Sequence, residues 1–313
     1  MIELVNVTKR YGSFTALDSL SMSVGRGVVF GFVGPNGAGK STTIAILATL
    51  LAPTSGTARV GGHDVTKEPD EVRKLIGYMP DFFGVYDHFT AYEYLDFYGA
   101  SYGIPREQRR KLIPQLLELV NLSDKRDIYV DSLSRGMKQR LCLARCLVHD
   151  PEVLLLDEPA SGMDPRARIE MREILKELKA MGKTILISSH ILPELAEMAD
   201  EIGIIEQGRL IAHGRVEDIQ NRIRVNRILH IRLLDREEEA VGFLRDEPQV
   251  TRVYRDQRGI EAHFAGGDEE QADLLARMLA QGFRVLKFHE QETDLEDVFL
   301  EITKGVRAGH ELA

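Results

Sequence analysis

The sequence predicts an α/β fold built around a phosphate-binding loop, followed by a smaller α+β domain. Three observations carry that expectation. The apolar run VVFGFVG (28–34) opens directly into GPNGAGKST, Gly34 to Thr42. A second apolar run, VLLLDEP (153–159), ends in an acidic pair. Near 221–226 (NRIRVN) the composition turns polar and basic, and a new set of short strand patterns begins. A brief apolar run bounded by turn residues marks a buried strand, and runs rich in β-branched residues between turns mark further strands.

The elements follow in order. After VVFGFVG, the stretch TTIAILATLL carries helical apolar spacing and stops before Pro53. SGTARVGGHDV reads as a hairpin turning at Gly61–Gly62. Thr90 and Glu93 form a capping box, which opens an aromatic-rich helix to about Tyr102. A second helix runs from Pro105 to about Val120, so a helical insert separates the strand KLIGYMP from VLLLDEP. Asp164 and Pro165 supply a cap and first-turn proline for a helix closing near Gly182. KTILISSH is another buried strand, and EIGIIEQGRLIAHG reads as a hairpin. Beyond the linker, ILHIRLL, VTRVYRD, GIEAHFA and FRVLKFHE read as strands around one helix, from about Glu269 to Gln281, capped by Asp268 and ended by Gly282. The expected division is a domain over 1–220 with a helical subdomain at about 87–150, a small α+β domain over 227–303, and a tail over 304–313.

Composition excludes several classes. The net charge is −9, from 40 basic and 49 acidic residues. Duplex-binding domains carry a basic excess, so no nucleic-acid partner is expected. The longest apolar run, IAILATLLA (44–52), falls short of the about 20 residues that span a bilayer. The opening MIELVNVTKRYG lacks a secretory pattern, which points to a cytosolic chain. Cys142 and Cys146 stand four apart on a helix and read as small buried hydrophobes, not metal ligands.

The loop GPNGAGKST fits G-x-x-x-x-G-K-[ST] between a strand and a helix, the context that motif requires. Gly34, Gly37 and Gly39 let the backbone wrap and aim amides at phosphate oxygens, with Pro35, Asn36, Ala38 and Thr42 completing the cradle. Lys40 would place its charge between the β- and γ-phosphates of ATP, and the Ser41 hydroxyl would ligate Mg²⁺. Asp157 would accept a bond from a magnesium-bound water or from Ser41. Glu158, one residue on, points elsewhere and would polarise the attacking water. His190, at the end of a third buried strand, is placed to reach the γ-phosphate, although a lone histidine is more often structural.

Taken in order, GPNGAGKST, LSRGMKQR, LLLDEP, SGMD and SSH resemble an ATP-binding cassette (ABC) ATPase of membrane transporters, over about residues 1–220. The resemblance implies a core of mixed sheets with a helical subdomain. It also implies a head-to-tail dimer, homodimeric or paired with a paralogue, that sandwiches ATP. In that arrangement Ser134 and Gly136 cap the γ-phosphate held by the other chain. Tyr11, in KRYG, matches the aromatic that stacks on adenine, and Asp164 matches the loop that communicates between sites. Three positions depart from the family. Asp81 in YMPDFFG replaces a glutamine; it can help hold magnesium but cannot donate to the nucleophilic water. Arg135 replaces a glycine and Met137 a glutamine in the signature.

Nine of the 21 Phe and Tyr residues lie between Phe82 and Tyr102. Most suit a subdomain core, but the family receives a permease helix in this groove, so Phe82, Phe83 and Tyr86 are expected to include an exposed patch. The C-terminal domain resembles the extension found on exporter-type cassettes. The leading function is an ATPase subunit that powers export through separate integral membrane permease subunits, peripheral on the inner face of the cell membrane. The alternative is a soluble cassette ATPase acting as a nucleotide-gated regulator or on nucleic acid and ribosomes. The cargo is not legible.

Overall fold

A computed structural model describes residues 1–82, 84, 88–216, 218, 227–256 and 259–290. Phe83 and Tyr86, the 221–226 linker and the 304–313 tail lie outside the described residues. The chain divides into two compact units, Met1–Gly214 and Arg215–Ala313.

In the first unit, β1 (Ile2–Tyr11) and β2 (Phe14–Val24) form an antiparallel hairpin. Next come β3 (Val29–Val33), α1 (Lys40–Leu47), β4 (Ser55–Val60), β5 (His63–Asp64), α2 (Pro69–Leu75) and β6 (Ile76–Met79). The helical insert consists of α3 (Ala91–Ser101), α4 (Arg106–Leu119) and α5 (Arg135–Leu147). Then follow β7 (Val153–Asp157), α6 (Pro165–Ala180), β8 (Thr184–Ser189), α7 (Leu192–Ala196), β9 (Glu201–Glu206) and β10 (Arg209–Arg215).

Two sheets result. β2-β1-β4-β5 is antiparallel throughout, and the six-stranded sheet runs β10-β9-β3-β8-β7-β6. Within the second, β3 pairs with β8 and β9, and β7 with β6 and β8, all in parallel. Every residue of β3, β7 and β8 is buried. That is why these strands read as continuous apolar runs rather than as alternation. The loops leaving their carboxyl ends place Gly34, Glu158 and His190 together, the usual location of a ligand in an open α/β sheet.

Phe30, Phe32, Ile44, Leu47 and Leu155 belong to one buried cluster of this unit. Each such side chain contributes about 1.5–3 kcal/mol on leaving water. In the insert, α5 is tied on several sides. Arg140, only 6% exposed, donates to the carbonyls of Val120 and Asn121 and pairs with Glu170 of α6. Arg145 and Cys146 both donate to the Tyr78 carbonyl in β6. Both cysteines are buried and unbridged, and burial pushes the Cys142 thiol well above its ordinary value, which keeps it unreactive.

In the second unit the order is β11 (Arg227–Leu233), α8 (Glu237–Arg245), β12 (Val250–Asp256), β13 (Gly259–Phe264), α9 (Asp268–Ala280) and β14 (Val285–Glu290). The strands lie β12-β13-β11-β14, all antiparallel, a split βαβ arrangement. Leu229, Ile231, Ile260, Ala262 and Phe264 cluster with Leu244, Leu274 and Met278 of the helices. The sequence suggested one helix here, and the described residues of this unit contain both α8 and α9. EEEAVGFLR begins as a run of acids, which reads as a polar loop. Those acids occupy the first turn of α8, where a helix dipole favours them, while Ala240 and Leu244 are buried. The expected Asp268 cap is also corrected: Gly267 is the cap, its amide donating to the Glu270 carboxylate at 2.9 Å. No helix among the described residues is long and apolar enough to cross a membrane.

Candidate functional site

The phosphate loop joins β3 to α1. A Cβ at Gly34 would lie 2.4 Å from the Ile205 carbonyl oxygen, so only glycine permits that approach. Gly39 has φ of +112°, and a Cβ there would meet Leu17 at 2.6 Å. Helix α1 starts immediately after it, with no side-chain cap and no acid in the first turn. The free amides of that start, together with the dipole, face outward as an anion site. Lys40 is 6% exposed, and its Nζ donates to the Gly34 carbonyl at 2.6 Å and the Pro35 carbonyl at 3.4 Å.

Asp157 ends β7 and is 4% exposed, with Oδ1 accepting from the Ser188 hydroxyl at 2.6 Å. The Ser188 oxygen in turn accepts from the Glu158 amide at 3.0 Å. Glu158 leaves the strand with φ of +50°, a conformation that costs a non-glycine residue about 1–3 kcal/mol. Its carboxylate has partners other than that of Asp157. One oxygen lies 3.4 Å from Lys40 Nζ and the other 2.9 Å from His190 Nδ1. A largely buried ion pair built on a strained residue is poor evidence for stability, since desolvation offsets its attraction. Strain, burial and charge gathered at one cavity wall point to chemistry instead.

Lys40, Glu158 and His190 face a cavity of about 400 Å³. Residues 35–42 line it, with Tyr11, Phe14, Asp81, Glu158, Ser161 and His190. Asp81 therefore faces the same space as Ser41. Tyr11 is 49% exposed and Phe14 60%, and they pair across the β1–β2 hairpin at the rim. Gly34 and Asp157 are not in the cavity wall. Neither Ser134, Gly136 nor Asp164 lines the cavity of its own chain. The Ser134 hydroxyl caps α5 by accepting from the Met137 amide at 3.3 Å, and Asp164 caps α6 by accepting from Ala167 at 2.9 Å. Gly136 is buried, and a Cβ there would meet Ala167 at 3.0 Å, so α6 needs that missing side chain. Phe14, Ser161 and Ser188 escaped the sequence reading. SSH flagged the end of β8, but nothing local marked Ser188 as the partner of residues thirty positions away.

An uncapped phosphate loop, an acidic pair at the neighbouring strand end and a parallel sheet define a nucleotide-binding ATPase of the phosphate-loop class. Residues 17–161 match the family model described as ABC transporter, and residues 214–303 match that of the ATP-binding protein DrrA1-3-like, C-terminal domain. The chain is 33% identical to the linearmycin resistance ATP-binding protein LnrL of Bacillus subtilis, over 97% of this chain and 98% of that one. It is 37% identical to the daunorubicin/doxorubicin resistance ATP-binding protein DrrA of Streptomyces peucetius, over 96% and 92% of the two chains. Among solved structures, an ATP-binding subunit of an ABC transporter aligns with TM-score 0.64 and 30% identity, covering 71% of this chain and 93% of that one. A dimeric cassette bound to ADP and Pi aligns with TM-score 0.62 and 26% identity, covering 69% and 99%. The chain belongs to the ATP-binding cassette family, as an ATPase subunit of its transporters.

Proposed function

We propose that this chain powers export: it binds MgATP at the phosphate loop, closes onto a second cassette, and drives separate permease subunits at the inner face of the membrane. One observation carries the catalytic part of this reading, the convergence of Lys40, Glu158 and His190 beside the open start of α1. Phosphoryl transfer needs positioning and charge more than covalent chemistry. Lys40 exchanges loop carbonyls for β- and γ-phosphate oxygens. Glu158 polarises the attacking water and takes up its proton. His190 holds the second carboxylate oxygen and meets the γ-phosphate. Tyr11 offers its ring to adenine, with Phe14 beside it.

The donor set suits magnesium. No cluster of three His, Cys, Asp or Glu side chains occurs among the described residues. Nucleotide-borne magnesium wants no such cage; it takes one or two protein groups plus phosphates and water. Ser41 and Asp81 face the cavity, and Asp157, outside its wall, has one oxygen not engaged by Ser188. Magnesium held there would neutralise phosphate charge during transfer.

Ser134 and Gly136 act from a second copy or a paralogue, covering the γ-phosphate from above, and Asp164 links the two sites. Such closure is a two-state element biased by the γ-phosphate. Phe82, 89% exposed, belongs to the surface that receives the permease. Export as the direction follows the relatives, which include a Nod factor export ATP-binding protein from Ralstonia nicotianae at 34% identity over 97% of this chain. The test is the purified chain with MgATP. Glu158→Gln lowers turnover by roughly 100-fold or more and accumulates an ATP-bound dimer on light scattering. Unchanged turnover discards Glu158 as the base, and turnover per chain that is indifferent to dilution discards the shared site.

A further inference from the structure

The loop from Glu158 to Asp164 is also held from α5, by a side chain that the mechanism above does not use. Gln139 is 3% exposed, and its Nε2 donates to the Ser161 carbonyl at 3.0 Å. Its Oε1 is buried and has no hydrogen-bond partner among the described residues. Burying an amide with its acceptor unused works against stability, so packing alone does not account for a glutamine here. The Ser161 amide donates to the Glu158 carbonyl at 3.0 Å and closes a turn. Glu158 enters that turn in the left-handed region, with its own amide on Ser188. The turn is therefore pinned twice, from the sheet by Ser188 and from α5 by Gln139. One helical turn earlier, on the same face of α5, Arg135 lies against the loop. A Cβ built on Gly162 would come within 2.5 Å of its guanidinium carbon.

We propose that Gln139 is a positioning residue for Glu158, holding the 158–161 turn so that the carboxylate stays between Lys40 and His190. The inference rests on Glu158 acting on the attacking water. It also gives α5 a second task. Its first residues are assigned to the partner's nucleotide, and Gln139, one turn further, touches the loop that carries this chain's own glutamate. Displacement of α5 on closure thus reaches Glu158 through one side chain, within one molecule.

The test uses the full-length chain with MgATP and a fluorescent ATP analogue. Gln139→Met keeps the length and nearly the volume of the side chain but removes the donor. Its kcat falls on the order of 10- to 100-fold, as expected for a misplaced catalytic group, while KM and the affinity for the analogue stay within about twofold. A kcat within twofold of the parent chain overturns the proposal. So does a loss of kcat matched by an equal loss of affinity, which marks a general structural role. Glu158→Gln is measured alongside. If it retains full turnover, the assignment of Glu158 fails and this inference with it. If it is inactive while Gln139→Met is normal, only the inference fails.

Discussion

Helices α1 and α5 begin in opposite ways, though the proposed mechanism sets both against phosphate. α1 follows a glycine in the left-handed region, with neither a capping side chain nor an acid in its first turn. α5 follows Ser134, whose hydroxyl already satisfies the Met137 amide. Two further helices of the same unit resemble α5: α3 carries a full capping box from Thr90 and Glu93, and α6 is capped by Asp164. First-turn amides that no side chain caps are met by water or by a ligand; α2 and α4 also lack a side-chain cap, but the start of α1 is the one that lines the cavity beside Glu158. The difference is between a start left open beside the cavity and one already closed by its own side chain, which on the proposed reading would meet the partner's phosphate as a finished surface.

The largest expected effect comes from closing the open start. Gly39→Ala puts a Cβ 2.6 Å from Leu17 and 2.9 Å from the Ala16 carbonyl oxygen, at a φ of +112°. The loop must move, and its amides no longer point together. Each charge-assisted bond lost there is worth about 1.5–3 kcal/mol. ATP affinity should therefore fall by at least about 100-fold in a titration with a fluorescent analogue. An affinity within tenfold of the parent would mean that α1 needs no uncapped start.

How much of this was visible beforehand follows the same division. The α1 start was legible because its requirements are local: glycines, a lysine and a flanking strand within fifteen residues. The caps at Thr90 and Asp164 were legible for the same reason, since a side chain there bonds an amide three residues on. What stayed hidden acts across the chain. Ser188 joins Asp157 and Glu158 over thirty residues, and Gln139 reaches Ser161 over 22. Phe14 needed the hairpin register that sets it opposite Tyr11. Helix α8 was missed because three successive glutamates resemble a solvated run, and only the packing of Ala240 and Leu244 reveals the helix.

A middle-sized effect separates the two tasks assigned to the α5 start. Ser134→Ala removes a single long cap bond and should cost about 0.5–1 kcal/mol of stability. For a unit of this size that lowers Tm by about 1–4 °C. ATP affinity of the isolated chain should not change, because Ser134 does not line its own cavity. In the Glu158→Gln background, however, the ATP-bound dimer should be lost in light scattering. A dimer that persists would reduce Ser134 to a cap and make α5 no different in kind from α3.

The smallest effect belongs to α3, where no ligand is involved. The Glu93 carboxylate accepts from the Thr90 amide at 2.8 Å and from its hydroxyl at 2.9 Å. Those two bonds hold the Glu93 pKa below its ordinary value. With the folded value depressed, the unfolded chain binds more protons in acid, so stability rises with pH through that window. The contribution is complete above the ordinary Glu value of 4.5 and is lost as pH falls through the folded value. Glu93→Gln keeps an acceptor but cannot titrate, so its denaturation midpoint should drop less between pH 6 and pH 3 than that of the parent chain. Parallel loss in the two proteins would mean that the box is held by the threonine alone, and that α3 is capped no better than α5.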